Sequence, residues 1–178
     1  RGFKVVLNWN PPEGPDGNAG EVDVICAHDG TVLVLEVKST YLRRSQQDAW
    51  QHETTTLRKA GQQLQRKVAA VQLALATDPE LARQLGLETG EPVTQMCGWI
   101  VDTSIECDHQ WFGGFLKISL EELMIALRDD RHLLHDPSGM FAPTAPAVHA
   151  EPQSLYPQGF SAGRLIEVVE TEAVWEGI

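Results

Sequence analysis

Hydrophobic and polar positions sort this chain into short strands, one long helix and a loop-rich tail. GFKVVLNWN, Gly2 to Asn10, predicts a strand that Pro11-Pro12 ends, with a Gly/Pro/Asp/Asn loop following to Gly20. Two more apolar, β-branched runs, Glu21 to Ala27 and Thr31 to Lys38, flank a tight turn. From Ser45 to Leu75 the period becomes helical: Leu57, Gly61, Leu64, Val68, Val71 and Leu75 form one stripe. Thr54-Thr55-Thr56 is a poor helix interior and marks a break or a start there. DPELARQLG predicts a short helix with Asp78 as cap, Pro79 in the first turn and Gly86 at the stop. TQMCGWIVD predicts a buried strand and FGGFLKI another. SLEELMIALRDD predicts a helix capped by Ser119, with Glu121 and Glu122 well placed near its amino end. After about Arg131 the texture changes. The stretch from His132 to Ala162 holds Pro137, Pro143, Pro146, Pro152 and Pro157 and few periodic apolars, which predicts loop. RLIEVVE, Arg164 to Glu170, predicts one more strand. The expected organisation is an α/β core over 1–131 and a Pro/Gly-rich extension over 132–178.

The pair of runs around Asp29-Gly30 carries the most information. Both turn residues tolerate positive φ, so the dipeptide predicts a two-residue hairpin loop. His28 then faces Thr31, Asp23 faces Glu36, and Glu21 faces Lys38. Such facing pairs hold their Cβ atoms roughly 4.5–5.5 Å apart. Positions 21, 23, 36 and 38 share one face because side chains alternate with period two, and Val22, Val24, Cys26, Leu33, Leu35 and Val37 line the other. Two carboxylates set opposite each other repel, and stripping unpaired charges of water costs several kcal/mol per ion. Three remedies exist: a shared proton, a nearby cation, or a divalent metal. Lys38 is one cation, for which Glu21 competes. A hard, oxygen-liganded ion between Asp23 and Glu36, completed by a backbone carbonyl and waters, fits best, and Mg2+ is the natural choice. The other reading is a salt ladder on an exposed face. Against it, Ile25, Val32 and Val34 continue the same face.

Charge changes the picture locally. The chain carries −11 in all, which argues against a nucleic-acid surface spread over the whole molecule. Yet Lys38, Arg43, Arg44, Arg58, Lys59, Arg66 and Lys67 outnumber Asp48 and Glu53, so residues 38–67 carry +5 and the remainder −16. With 178 residues, 42% of them hydrophobic, the chain has the makings of a domain with a real core. No apolar run approaches the ~18 residues of a membrane span. The start is not that of a signal peptide, and with no initiator Met at Arg1 we read the chain as a segment of a longer polypeptide. Cys26, Cys97 and Cys107 form no CxxC pair, which suits reduced thiols in a cytoplasmic protein. His132 with His135, and Cys107 with His109, have zinc-like spacing but lack a second half.

Asp23 followed by Glu36-Val37-Lys38 resembles the PD-(D/E)XK nuclease superfamily, and GEVDVI…LVLEVKST is especially similar to its nuclease-related-domain and restriction-endonuclease-like members. The resemblance implies a restriction-endonuclease-like core, with a central mixed β-sheet, a hairpin carrying the D…ExK motif, and flanking helices. By position it makes Asp23 and Glu36 the Mg2+ ligands (Mn2+ a substitute), with the Val37 carbonyl as a further ligand. It makes Lys38 the catalytic lysine. It also implies a glutamine on the following helix: Gln63, or alternatively Gln62 or Gln65, in KAGQQLQRK. Val22 stands where the family has its nominal Pro. The family helix that precedes the first strand, often with another Glu, is absent here or supplied elsewhere. The implied activity is hydrolysis of nucleic-acid phosphodiesters, DNA before RNA, as the nuclease domain of a larger antiviral-defence or repair protein. Arg43, Arg44, Arg58, Lys59 and Lys67 would hold the nucleic-acid backbone. Other domains or subunits, and no membrane, complete the expected partners. A non-cleaving module for nucleic-acid binding or assembly is the alternative, and an RNA- or tRNA-cleaving effector a third.

Overall fold

The computed structural model describes residues 1–12, 19–39, 45–87, 93–130 and 153–176. They form a mixed α/β protein. The strands β1 (Lys4–Trp9), β2 (Val22–His28), β3 (Thr31–Lys38), β4 (Gln95–Asp102), β5 (Trp111–Phe112) and β6 (Phe115–Ser119) make one sheet in the order β1-β2-β3-β4-β6-β5. Pairing is antiparallel along β1-β2-β3 and between β5 and β6, and parallel along β3-β4-β6. The helices are α1 (Gln46–Gln51), α2 (Arg58–Thr77), α3 (Pro79–Gln84), α4 (Leu120–Arg128) and α5 (Ala162–Glu170). Among the described residues no helix is long and apolar enough to cross a membrane.

The chain divides into two compact units, Gly2–Leu120 and Glu121–Ile178, the latter joined by Arg1. The first holds the whole sheet. Its core lies between α2 and one sheet face, where Ile25, Ala27, Val32, Val34 and Ile100 meet Leu57, Ala60, Leu64 and Val71. The β2–β3 hairpin turns on Asp29 and Gly30, at φ 49° and 73°, the left-handed pair that a two-residue hairpin loop needs. Its register runs from His28↔Thr31 to Val24↔Leu35, the pairing expected from the turn.

Two elements differ from the sequence reading, and a third takes a form it did not specify. FGGFLKI is not one strand but β5 and β6, folded back at Gly113-Gly114. The Thr-rich break is a π-helical segment over His52–Leu57 that joins α1 to α2. Thr54 and Thr55 donate their hydroxyls to the Trp50 and Gln51 carbonyls at 2.7 and 2.5 Å, the four-back bonding by which Thr side chains loosen a helix. The strand expected over Arg164–Glu170 is instead the helix α5. Ser161 caps it by accepting the Arg164 N–H at 3.1 Å, and Ala162, Leu165, Ile166 and Val169 recur at 0, 3, 4 and 7 to give one buried stripe, so cap and period override the β preference of the valines. Residues 131–152, with the prolines through Pro152 and the His132/His135 pair, lie outside the described residues.

Two buried acids set an alkaline limit. Burial pushes the Cys26 thiol from its ordinary 9.0 up to about 12. The Tyr156 phenol goes from 10.0 to about 12, chiefly through burial, with Arg1 opposing and Asp129 adding. Both unfolded groups ionise before the folded ones, so the unfolded state binds fewer protons above pH 9 and stability falls from there towards pH 12. Urea midpoints are expected to drop between pH 8.5 and 11, and to drop less in Cys26→Ala. Equal slopes for the two proteins would refute the assignment to Cys26.

Candidate active site

The carboxyl ends of the parallel strands β3 and β4 and the amino end of β2 lie at the same end of the sheet, the end at which open α/β sheets tend to bind ligands. Four of the residues singled out in the sequence converge there. Glu36, 1% exposed, stands near the end of β3. Its Oε1 accepts from Lys38 Nζ at 2.5 Å, and Lys38 Nζ also reaches Gln63 Oε1 at 3.4 Å. Gln63 rather than Gln62 or Gln65 is thus the glutamine at the site, since those two are exposed on α2. Asp23, at the start of β2, accepts the Val37 N–H on Oδ2 at 2.7 Å, which ties the two strands together just beyond the last rung of the hairpin. Glu21 is exposed immediately before β2.

The fifth member is Lys67. Expected among the phosphate-holding side chains, it is 5% exposed, and its ammonium bonds Glu36 Oε2 and lies 3.4 Å from Asp23 Oδ1. Of the three remedies for facing carboxylates, the structure displays the second, a cation supplied by the chain. Two carboxylates and two ammonium groups balance to zero formal charge. The clue in the sequence was positional: Lys67 falls three residues after Leu64 and four before Val71, on the sheet-facing side of α2, and four after Gln63. Of the other basic candidates, the described ones, Arg58 and Lys59, are not brought to the carboxylates. Arg58 and Lys59 are exposed at the start of α2 while Leu57 and Ala60 face the core, and Arg43 and Arg44 lie outside the described residues.

A second buried polar pair adjoins the first and was not anticipated. His52 Nε2 lies 2.7 Å from Asp102 Oδ2, both side chains being buried. Asp102 ends β4 directly beside Lys38 in the parallel register, and the Thr103 N–H donates to the Lys38 carbonyl at 3.1 Å. A carboxylate holding one imidazole nitrogen fixes the ring's orientation. His52 is the first residue of the π-helical segment, and such turns are frequent at functional sites.

The donor chemistry suits a hard cation. Oxygens of Asp23 and Glu36 already converge on one positive centre, the Lys67 ammonium, and carboxylate oxygens are the donors Mg2+ prefers. No third acid or histidine joins them: among the described residues there is no group of three His, Cys, Asp or Glu side chains placed to hold a metal, Cys107 and His109 included. No protein-family model, curated protein or solved structure matches this chain.

Proposed function

We propose that this chain is a PD-(D/E)XK-type nuclease domain that hydrolyses nucleic-acid phosphodiesters with Mg2+, DNA before RNA, in the cytoplasm and as part of a larger defence or repair protein. The supporting observation is the convergence of Asp23, Glu36, Lys38 and Gln63 at the end of β3. Hydrolysis exchanges one P–O bond for another: a water oxygen adds to phosphorus, and the departing sugar oxygen leaves with a proton. Asp23 and Glu36, with the Val37 carbonyl, would hold the ion, whose chemistry when bound is to acidify water and polarise a phosphate oxygen. Lys38 keeps a positive charge against Glu36, where it offsets the negative charge that grows on the phosphate oxygens or orients the attacking water. Gln63 restrains Lys38 from the helix side. Arg58 and Lys59 supply exposed charge for the backbone of the substrate. The three free thiols agree with a reducing compartment.

A second reading draws on Lys67. Carboxylates that already hold a cation suit a non-cleaving module kept for nucleic-acid binding or assembly, as does the net charge of −11. Plasmid DNA and RNA incubated with the protein and Mg2+ or Mn2+ separate the two. Cleavage is expected, with Asp23→Ala and Lys38→Ala each slower by roughly 10²–10⁴-fold. Equal activity in all three proteins, or none in any, overturns the enzyme reading, and competition between DNA and RNA decides the substrate.

A further inference from the structure

We infer that Lys67 is an internal competitor for the divalent ion, so that metal binding requires its ammonium to leave the two carboxylates. The inference rests on the nuclease reading above, and adds to it a side chain that controls loading of the site. Lys67 Nζ makes its contacts to Glu36 Oε2 and Asp23 Oδ1, one oxygen from each acid. Those are the two acids a metal would have to draw on, and an ammonium between them repels a divalent cation and occupies its volume. Charge says the same. With Lys38 and Lys67 both in place the four groups balance, so an added divalent ion brings an unneutralised +2, which falls to +1 when one ammonium moves away. Lys67 is the group that has to move, because its ammonium contacts both acids, whereas Lys38 engages Glu36 and Gln63. Lys67 has a four-carbon stem that can carry its charge from a buried position towards water while the helix stays fixed.

Where the binding-competent form is a minor one, apparent affinity falls by the fraction of molecules that occupy it. Removing the ammonium removes that burden. The site then has two carboxylates against the Lys38 ammonium alone, a formal charge of −1, and gains more from a metal than the native site does.

The test uses Mn2+ as probe and reads binding and stability. In Lys67→Met, calorimetric affinity for Mn2+ is expected to be roughly tenfold or more above wild type. Its melting temperature without metal should be lower than wild type, and Mn2+ should raise it by more. Lys67→Gln, which keeps a hydrogen-bond donor, serves if Lys67→Met does not fold. A labelling experiment on the wild-type chain is independent of both variants. Acetic anhydride followed by peptide mass spectrometry should find Lys67 protected, and several-fold more reactive once Mn2+ is present. Equal Mn2+ affinity in wild type and variant, with Lys67 labelling unchanged by the metal, overturns the inference and leaves the nuclease reading standing. No Mn2+ binding by any of the proteins overturns both.

Discussion

Glu36→Gln is expected to cost about 3–5 kcal/mol of conformational stability, the range for removing one partner of a buried ion pair, and to slow the proposed phosphodiester hydrolysis by roughly 10³-fold or more. Each oxygen of Glu36 holds one ammonium, Oε1 that of Lys38 at 2.5 Å and Oε2 that of Lys67. An amide puts a second donor against one of them. The remaining acid, Asp23, reaches Lys67 only at 3.4 Å and spends its other oxygen on the Val37 N–H. The site therefore goes from neutral to +1 where Glu36 and Lys67 are screened from water. Urea denaturation of the variant beside Glu80→Gln gives the comparison. Glu80 is exposed, and Arg83 and Gln84 hold its carboxyl below the usual range, yet its loss should leave the midpoint unmoved. A Glu36→Gln protein as stable and as active as wild type would show that Glu36 is neither the counter-ion nor the proposed metal ligand.

The part of this site that could be read from the sequence was the part set by a two-residue turn. Once Asp29-Gly30 is the loop, counting backwards gives each facing pair without reference to the rest of the protein, and the observed register agrees from His28↔Thr31 to Val24↔Leu35. That count also put Asp23 and Glu36 together, and the D…ExK pattern pointed to Gln63 on the next helix. Lys67 was harder, because a lysine in a helical stripe reads as a surface charge until the opposing acids are known. His52 and Asp102 were beyond reach for a different reason. Between Trp50 and Leu57 the helix runs through a π turn, which shifts the phase by which buried positions are counted, so that no 3.6-residue pattern places His52 on the inside. Its partner, moreover, lies fifty residues away on a parallel strand, a pairing that only the crossover between β3 and β4 brings about. The helix α5 was misread because Val168 and Val169 weigh towards a strand, whereas Ser161 and the spacing of Leu165, Ile166 and Val169 weigh towards a helix and prevail.

Gly61→Ala is expected to destabilise the protein by about 2–4 kcal/mol, although it replaces a poor helix former with the best one. In an open helix the exchange would gain close to 1 kcal/mol. Here α2 crosses β5 at this residue. A Cβ on Gly61 would lie 2.3 Å from the Phe112 carbonyl oxygen, 2.6 Å from its carbon and 3.0 Å from the Gly113 nitrogen. All three atoms are backbone, so no rotamer change relieves the overlap, and the helix or the β5–β6 hairpin has to shift. Packed interiors resist such shifts, and overpacking is costly for that reason. Ala69→Gly, at an exposed position of the same helix, is the control for propensity and should lose only about 1 kcal/mol. The consequence reaches the site, because Gln63 is two residues beyond Gly61 and Lys67 six. If α2 is pushed away from the sheet, the 3.4 Å contacts of Gln63 to Lys38 and of Lys67 to Asp23 are the first to open. Gly61→Ala should then lose the proposed cleavage activity at temperatures where it remains folded, while Ala69→Gly keeps it. A Gly61→Ala protein with an unchanged or raised denaturation midpoint would mean that α2 does not approach β5 this closely, and that the helix carrying Gln63 and Lys67 is seated some other way.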